Sequence, residues 1–435
     1  MNHSLMDSST TLAPEKQHSI RALQASNFFL ADVQTGLGPF LAAYLAAAGW
    51  NPGRVGVVLT LGGIITVALQ TPAGAFVDRA RSKRLILVVG SLVLAVGALL
   101  LSFTAEPWSV YTSQVLIGGA GPFLAPTLAA ITMGLVGVRL FDRQFGKNQS
   151  FNSAGNVVCA LVIAGVSRLF GNRAIFITAA IFTLPTIASV LSIRGDEIDY
   201  ELARGGCETQ GKENETKPSS VVQVLLHDRV LLLFLLCAFL FHFANAAMLP
   251  QLGEMLSKGS RTSAAPFMSA CIVVTQVVIT CSAAFIGRWA NVHGRKPLLL
   301  LGFGVLPLRA VLYTLIHNSA GLVAVQLLDG VANAIFGVVS VLLIADRTEG
   351  TGRFNLVQGS LATAVGLGAA LSTSFGGKLI QHFNFGVSFL ALGIVAAVAL
   401  AVLWVGIPET LRSTQKPPVP IDDFSSDLSK NRVSP

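Results

Sequence analysis

The sequence predicts an all-α membrane protein: twelve transmembrane helices in two pseudo-symmetric six-helix bundles. Three observations lead there. The chain is apolar and poor in charge, it holds a series of long apolar runs, and one short basic loop occurs twice, half a chain apart.

Hydrophobic residues make up 52% of the 435 residues and charged residues only 12%, with a mean hydropathy of +0.66. Soluble proteins carry about 25% charged residues, so most of this chain must be kept from water. A crossing needs about 20 apolar residues to span roughly 30 Å of hydrocarbon. Such runs fall at 22–48, 54–77, 85–104, 109–137, 149–170, 173–193, 229–252, 263–287, 297–317, 319–345, 354–378 and 384–407. Their continuity selects helices, because barrel strands alternate and are about 10 residues long. Glycine, 42 residues in all, is crowded into spans such as 366–377, as expected where helices approach closely in lipid. The first bundle is therefore expected at 22–193 and the second at 229–407. A cytoplasmic tail of 1–21 precedes them, a flexible cytoplasmic linker of 194–228 joins them, and a cytoplasmic tail of 408–435 follows.

The net charge of +8 is distributed over alternate loops and makes no nucleic-acid footprint. Arg79, Arg81, Lys83 and Arg84 share one side with Arg139, Arg143, Lys147, Arg288, Arg295 and Lys296, while the opposite loops are sparse. Positive residues stay on the cytoplasmic side during insertion, so both termini are expected there, with the protein in the plasma (inner) membrane. The cysteines form no C-x-x-C pair, and the seven histidines do not fall at metal-ligand spacing. No phosphate-cradling Gly-x-x-x-x-Gly-Lys-Ser/Thr occurs. The expectation is no enzyme, no cofactor and no metal. Any work the protein does should be driven by a gradient.

The repeated loop reads Gly74-Ala75-Phe76-Val77-Asp78-Arg79-Ala80-Arg81-Ser82-Lys83-Arg84, and again Gly287-Arg288-Trp289-Ala290-Asn291-Val292-His293-Gly294-Arg295-Lys296. Setting Gly74 on Gly287 places Asp78 on Asn291 and Lys83 on Lys296. A weaker echo links 139–149 with 346–353. Repetition at half length in a hydrophobic chain marks two related bundles. These residues resemble the loop signature of the major facilitator superfamily, Gly-x-x-x-Asp-x-x-Gly-Arg-Lys, found between helices two and three and more weakly between eight and nine. The resemblance implies that Asp78 latches the two halves in the outward-open state, against the start of the eleventh span near Arg353 and Asn355. In the second copy Asn291 replaces the acid, so any latch there should be weaker. The neighbouring basic residues fit the simpler role of enforcing topology.

Polar residues inside the spans are the candidate site. Asp32 lies in the middle of the first span, flanked by Asn27 and Gln34. A charge at that depth costs at least about 2.5–3.5 kcal/mol, so it must face protein or a watery cavity. It suits proton carriage; pairing with a neighbouring helix is the structural alternative. Asp329 sits mid-span in the tenth run with Asn333 one turn on, and His242 and Asn245 share a face of the seventh. In the family this chain resembles, helices one, four, seven and ten line the central cavity, to which the fourth contributes Gln114. Asp32, Asp329 and His242 are the proton-coupling candidates, and Asn27, Gln34, Gln114, Asn245 and Asn333 the substrate-cavity candidates. Arg309, in the ninth span, either snorkels outward, the favoured reading, or turns inward to Asp329. Phe28, Phe29, Phe123, Phe239 and Phe241 are assigned to packing before any pocket.

The function expected is secondary active transport of a small organic molecule by alternating access, as proton-coupled efflux, by an antiporter working as a monomer. Its partners are the substrate, protons and the bilayer. Gradient-coupled uptake of an organic acid or sugar, or a receptor that kept the fold, are the alternatives. The Gly-Pro motif that drug antiporters of the superfamily carry in the fifth helix is missing from 153–159.

Overall fold

The computed structural model describes residues 16–35, 37–204, 228–257, 264–348 and 354–410, with the side chains of 32–35, 37, 138, 139, 142, 284, 354 and 355 also left outside. Helices account for nearly all of it. The first crossing is split into α1 (Gln17–Thr35) and α2 (Leu37–Ala47). Next come α3 (Pro52–Arg79), α4 (Lys83–Phe103), α5 (Pro107–Phe170) and α6 (Arg173–Ser192). The second half repeats the plan. Its first crossing is likewise split, into α7 (Arg229–Asn245) and α8 (Met248–Ser257). After it run α9 (Ala264–His293), α10 (Lys296–Leu315), α11 (Ser319–Thr348), α12 (Phe354–His382) and α13 (Phe385–Gly406). Among the described residues 11 helical stretches are long and apolar enough to cross a membrane, and Gly38–Ala47 is a shorter apolar helix in the split first crossing. The architecture is the predicted pair of six-crossing bundles.

Local chemistry sets the helix starts. Asn51, Asp228 and Asn384 each cap the helix that follows, accepting from the backbone amides of Arg54, Val230 and Val387. Asp228 also pairs with Arg347 at 2.7 Å, tying the start of α7 to the end of α11.

Three stretches depart from the sequence reading. The loop expected at 139–149 is helical. The long α5 breaks only at Gly137 (φ 72°, ψ 173°), a left-handed conformation that favours glycine, so its arms Pro107–Gly137 and Arg143–Phe170 form two crossings. Asn148 holds the junction, donating to Thr132 Oγ1 at 2.9 Å while accepting from Gln144. Secondly, the linker is not loose at its start. Ile198 and Ala203 are buried against Leu87 and Leu135 of the first bundle, and the Asp199 amide donates to the Gly134 carbonyl. These few apolar side chains were outweighed in the sequence by the polar residues around them. Thirdly, the packed structure reaches into both expected tails: Ser19 and Ile20 are buried on α1, and Glu409 is bonded to the start of α10.

The halves meet tightly at the end of the molecule away from the basic loops. Thr60 Oγ1 donates to the Ala370 carbonyl at 2.6 Å and accepts from the Ser374 amide. Gly56 and Gly377 make the α3–α12 approach possible: a β-carbon on either would collide with backbone of the other helix. At the basic end of α3 the surroundings of Gly74 are open and Asp78 is exposed.

Candidate functional site

A cavity of about 520 Å³ lies between the bundles. Its walls come from both halves: Thr66, Gln114 and Ile117 from the first, Asn245, Arg309, Asp329 and Gly366 from the second. Gly38, Pro39, Leu249 and Pro250, at the breaks in the two split crossings, line it as well. Most of the wall is aliphatic, and none of its described residues is aromatic.

The polar centre of this wall is a buried ion pair. Arg309 Nη1 lies 2.5 Å from Asp329 Oδ1, with side-chain exposures of 1% and 9%. Arg309 therefore turns inward. The outward alternative fails on helix geometry, since Leu299, Gly302, Phe303, Leu306, Ala310 and Tyr313 make the buried stripe of α10 and Arg309 falls on that stripe. Around the pair a wider network forms. Arg309 Nε donates to the Tyr313 hydroxyl at 3.0 Å, which also accepts from Gln326 at 2.6 Å. Arg309 Nη1 donates to Asn245 Oδ1 as well. Asn333 donates to Asp329 Oδ1 at 2.9 Å, and Thr275 Oγ1 to Asp329 Oδ2 at 3.3 Å. Taking two charges out of water costs several kcal/mol per ion, and only such multiple bonding offsets it. The four helices α7, α9, α10 and α11 are thus joined at one point.

Of the sequence-derived candidates, Gln114, Asn245 and Asp329 line the cavity, and Asn333 reaches it through Asp329. His242 hydrogen-bonds the Ala238 carbonyl of its own helix and meets Phe336 edge-on at 4.7 Å. Asn27 is buried and donates to the Leu23 carbonyl, with its own carbonyl taken by Asn152. Asp32 and Gln34 belong to α1, but their side chains lie outside the described residues. Phe241 stacks in the core with Phe303 and Phe336. Thr275 and Tyr313 were missed. Tyr313 had a readable signal, lying one turn from Arg309 on the same face with a hydroxyl that needs a partner.

The two basic loops differ in their bonding. In the first, Arg79 and Arg81 are exposed, whereas Lys83 is fully buried and donates to the Val77 carbonyl at 2.8 Å. Arg84 donates to the Ile193 carbonyl at 2.5 Å. Lys83 and Arg84 are therefore structural braces as well as topology charges, because each reaches a carbonyl at a helix end. In the second loop the buried cation is Arg295. It forms a fork with Asp346 at 3.0 and 3.4 Å, and donates to the Ala290 carbonyl and to Asn291 Oδ1. Glu409 accepts from the Arg295 and Lys296 amides at 2.8 and 3.0 Å, and Lys296 Nζ donates to the Trp404 carbonyl. Gly287 packs beside Val338. The partner expected for Asp78 near Arg353 and Asn355 lies outside the described side chains. No group of three or more His, Cys, Asp or Glu able to hold a metal occurs among the described residues.

Comparison with known proteins agrees with this architecture. The chain is 41% identical over 394 residues to an uncharacterised MFS-type transporter of Mycobacterium tuberculosis (strain H37Rv), covering 90% of this chain and 94% of that protein. It is 28% identical over 169 residues to the multidrug resistance protein MdtG of Enterobacter lignolyticus, covering 37% and 40%. Its fold matches the crystal structure of a bacterial homologue of the human lysosomal transporter Spinster in an inward-facing and occupied conformation. That match has a TM-score of 0.72 at 11% identity, over 91% of this chain and 97% of the other. The family model of the Major Facilitator Superfamily matches residues 25–282 and 272–433. An integral multi-pass membrane protein built as two six-crossing bundles, with a partly polar cavity at their seam, this chain belongs to the Major Facilitator Superfamily.

Proposed function

We propose that the protein exports a small organic molecule by alternating access, with proton entry driving the exit of substrate. The observation that carries this reading is the cavity shared by the two halves, with the Arg309–Asp329 pair on its wall. A carboxylate held by a guanidinium in such a place is either paired and charged, or protonated with the arginine left for another partner, and the second condition is costly unless that partner is present. Coupling needs a group of that kind. Asp329 is the proton carrier best supported by geometry, with Asp32 the second acid; His242, satisfied by its own helix, is assigned a minor part.

The efflux direction draws on the partial likeness to MdtG. The loops that carry most of the lysine and arginine face the cytoplasm of the inner membrane, and both termini lie on that side. The α3–α12 contact then closes the outer end, and the structure corresponds to an inward-open state. In it Asp78 is exposed, and the proposed latch forms when the halves 22–193 and 229–407 rock to close the inner end. The single chain is the working unit, with protons and substrate as its ligands.

Proteoliposomes loaded with a pH-sensitive dye test the reading. Substrate added to one side should move protons the opposite way, and Asp32→Asn or Asp329→Asn should uncouple that movement. Proton movement unchanged in both variants would remove the acids from coupling.

A further inference from the structure

The guanidinium of Arg309 is not fully used. Its Nε is taken by Tyr313 and its Nη1 by Asp329 and Asn245, but Nη2 has no hydrogen-bond partner among the described residues. Arg309 is 1% exposed, and the little surface it keeps belongs to the cavity. The edge of the guanidinium left open to the cavity is thus a donor, and a donor at a cavity wall is a place where a ligand or water bonds. Asp329 is in the opposite condition. Its Oδ1 accepts from Arg309 and Asn333, and its Oδ2 from Thr275. The atom of this pair with no bond among the described residues is therefore a donor, Nη2 of the cation, while Asp329 Oδ2 carries a single bond.

The rest of the wall points the same way. Leu41, Leu59, Val67, Ile117 and Leu249 give an aliphatic surface, and no aromatic ring is present among the described lining residues to receive a lipophilic cation. Gln114, on the opposite half, is the amide available to a second polar group.

We propose that Arg309 anchors an oxyanion of the substrate, so that the transported molecule is a compact aliphatic body bearing a carboxylate or an oxyanion of like size. A planar guanidinium fork matches a carboxylate in two parallel hydrogen bonds, which an ammonium cannot do. Asp329 occupies one side of that fork and so competes with the substrate. Release of Asp329 turns Arg309 from a one-nitrogen contact into a two-nitrogen one, so a proton on Asp329 favours anion binding, and under this proposal the proton that drives exit falls to Asp32. The proposal rests on the reading of this cavity as the substrate site.

The test is binding, measured calorimetrically on the purified full chain in lipid nanodiscs. Three probes of equal bulk are compared: cyclohexanecarboxylate, cyclohexanecarboxamide and cyclohexylmethylammonium. The wild type should prefer the carboxylate by at least about tenfold. Asp329→Asn should tighten the carboxylate about tenfold further, leaving the amide unchanged. The double variant Arg309→Gln/Asp329→Asn, which keeps the wall neutral, should retain its melting temperature and lose the preference. Equal or better binding of the amide or ammonium, a preference that survives in the double variant, or no carboxylate binding up to about 10 mM would each overturn the proposal. Failure of proton coupling in vesicles, with the carboxylate preference intact, would instead count against coupled transport alone.

Discussion

The two copies of the basic loop share a sequence pattern and differ in what holds them. The second is braced within its own half by Arg295, Asp346 and Glu409, with Asn291 joined to the same cation. The first is braced by Lys83, buried and bonded to the Val77 carbonyl, and by Arg84 on the Ile193 carbonyl, and it leaves Asp78 exposed. Ala290, the carbonyl that Arg295 reaches, and Val77, the carbonyl that Lys83 reaches, occupy equivalent places in the repeat. The same structural bond is therefore made in both copies by a cation displaced by one residue. What differs is the acid. Where the repeat carries Asn291 the side chain is bonded to the bracing cation; where it carries Asp78 the charge is exposed, and the latch proposed above assigns it to the other bundle.

That contrast breaks most easily at Arg295. Arg295→Ala strands Asp346 and frees the start of α10, and should cost about 3 kcal/mol, read as a large fall in the thermal midpoint in detergent. A loss near zero would mean that the second loop is not a brace. Next comes the contact at the far end. Gly377→Leu cannot keep the approach to Pro52 and should cost about 1–3 kcal/mol in this conformation. It should open the far end, exposing a cysteine placed at Thr373 to a membrane-impermeant thiol reagent; protection equal to that in the parent would contradict the closure. Lys83→Met removes the brace of the first copy while keeping the side-chain stem, and should cost at least about 1 kcal/mol. A loss near zero would mean that Lys83 does not brace the first loop. The smallest effect on stability belongs to Asp78→Asn, whose melting temperature should stay within about 1 °C of wild type. Its transport rate should still fall, because the latch acts only when the inner end closes. Unchanged transport would leave Asp78 without the role given to it.

Much of this was legible in the sequence, and the parts that were not have physical causes. Apolar runs and the repeated loop are properties of composition and spacing, so the crossings and the two halves could be read directly. Asp329 could be singled out because an acid amid apolar residues is costly wherever it points. The direction of Arg309 could not be read from the assumption that its helix is peripheral. It was present, unused, in the stripe Leu299–Gly302–Leu306–Tyr313, which fixes the buried face. Asn27 shows the reverse error. An amide near the middle of a span looks like a ligand for substrate until its own helix carbonyl is seen to take it. The helical connection through Gly137 was hidden for another reason, since one left-handed glycine does the work that a loop was expected to do.

The central claim is that one cavity is exposed to each side in turn, by a rocking of two halves that lets go at one end as it grips at the other. Spin labels at Ala75 and Gly359 report the basic end, and labels at Asn51 and Phe383 the far end, in nanodiscs with and without saturating substrate. The account predicts opposed changes: whenever the 75–359 distance distribution shortens, the 51–383 distribution lengthens. Two distributions that stay fixed, or that shorten together, would contradict it.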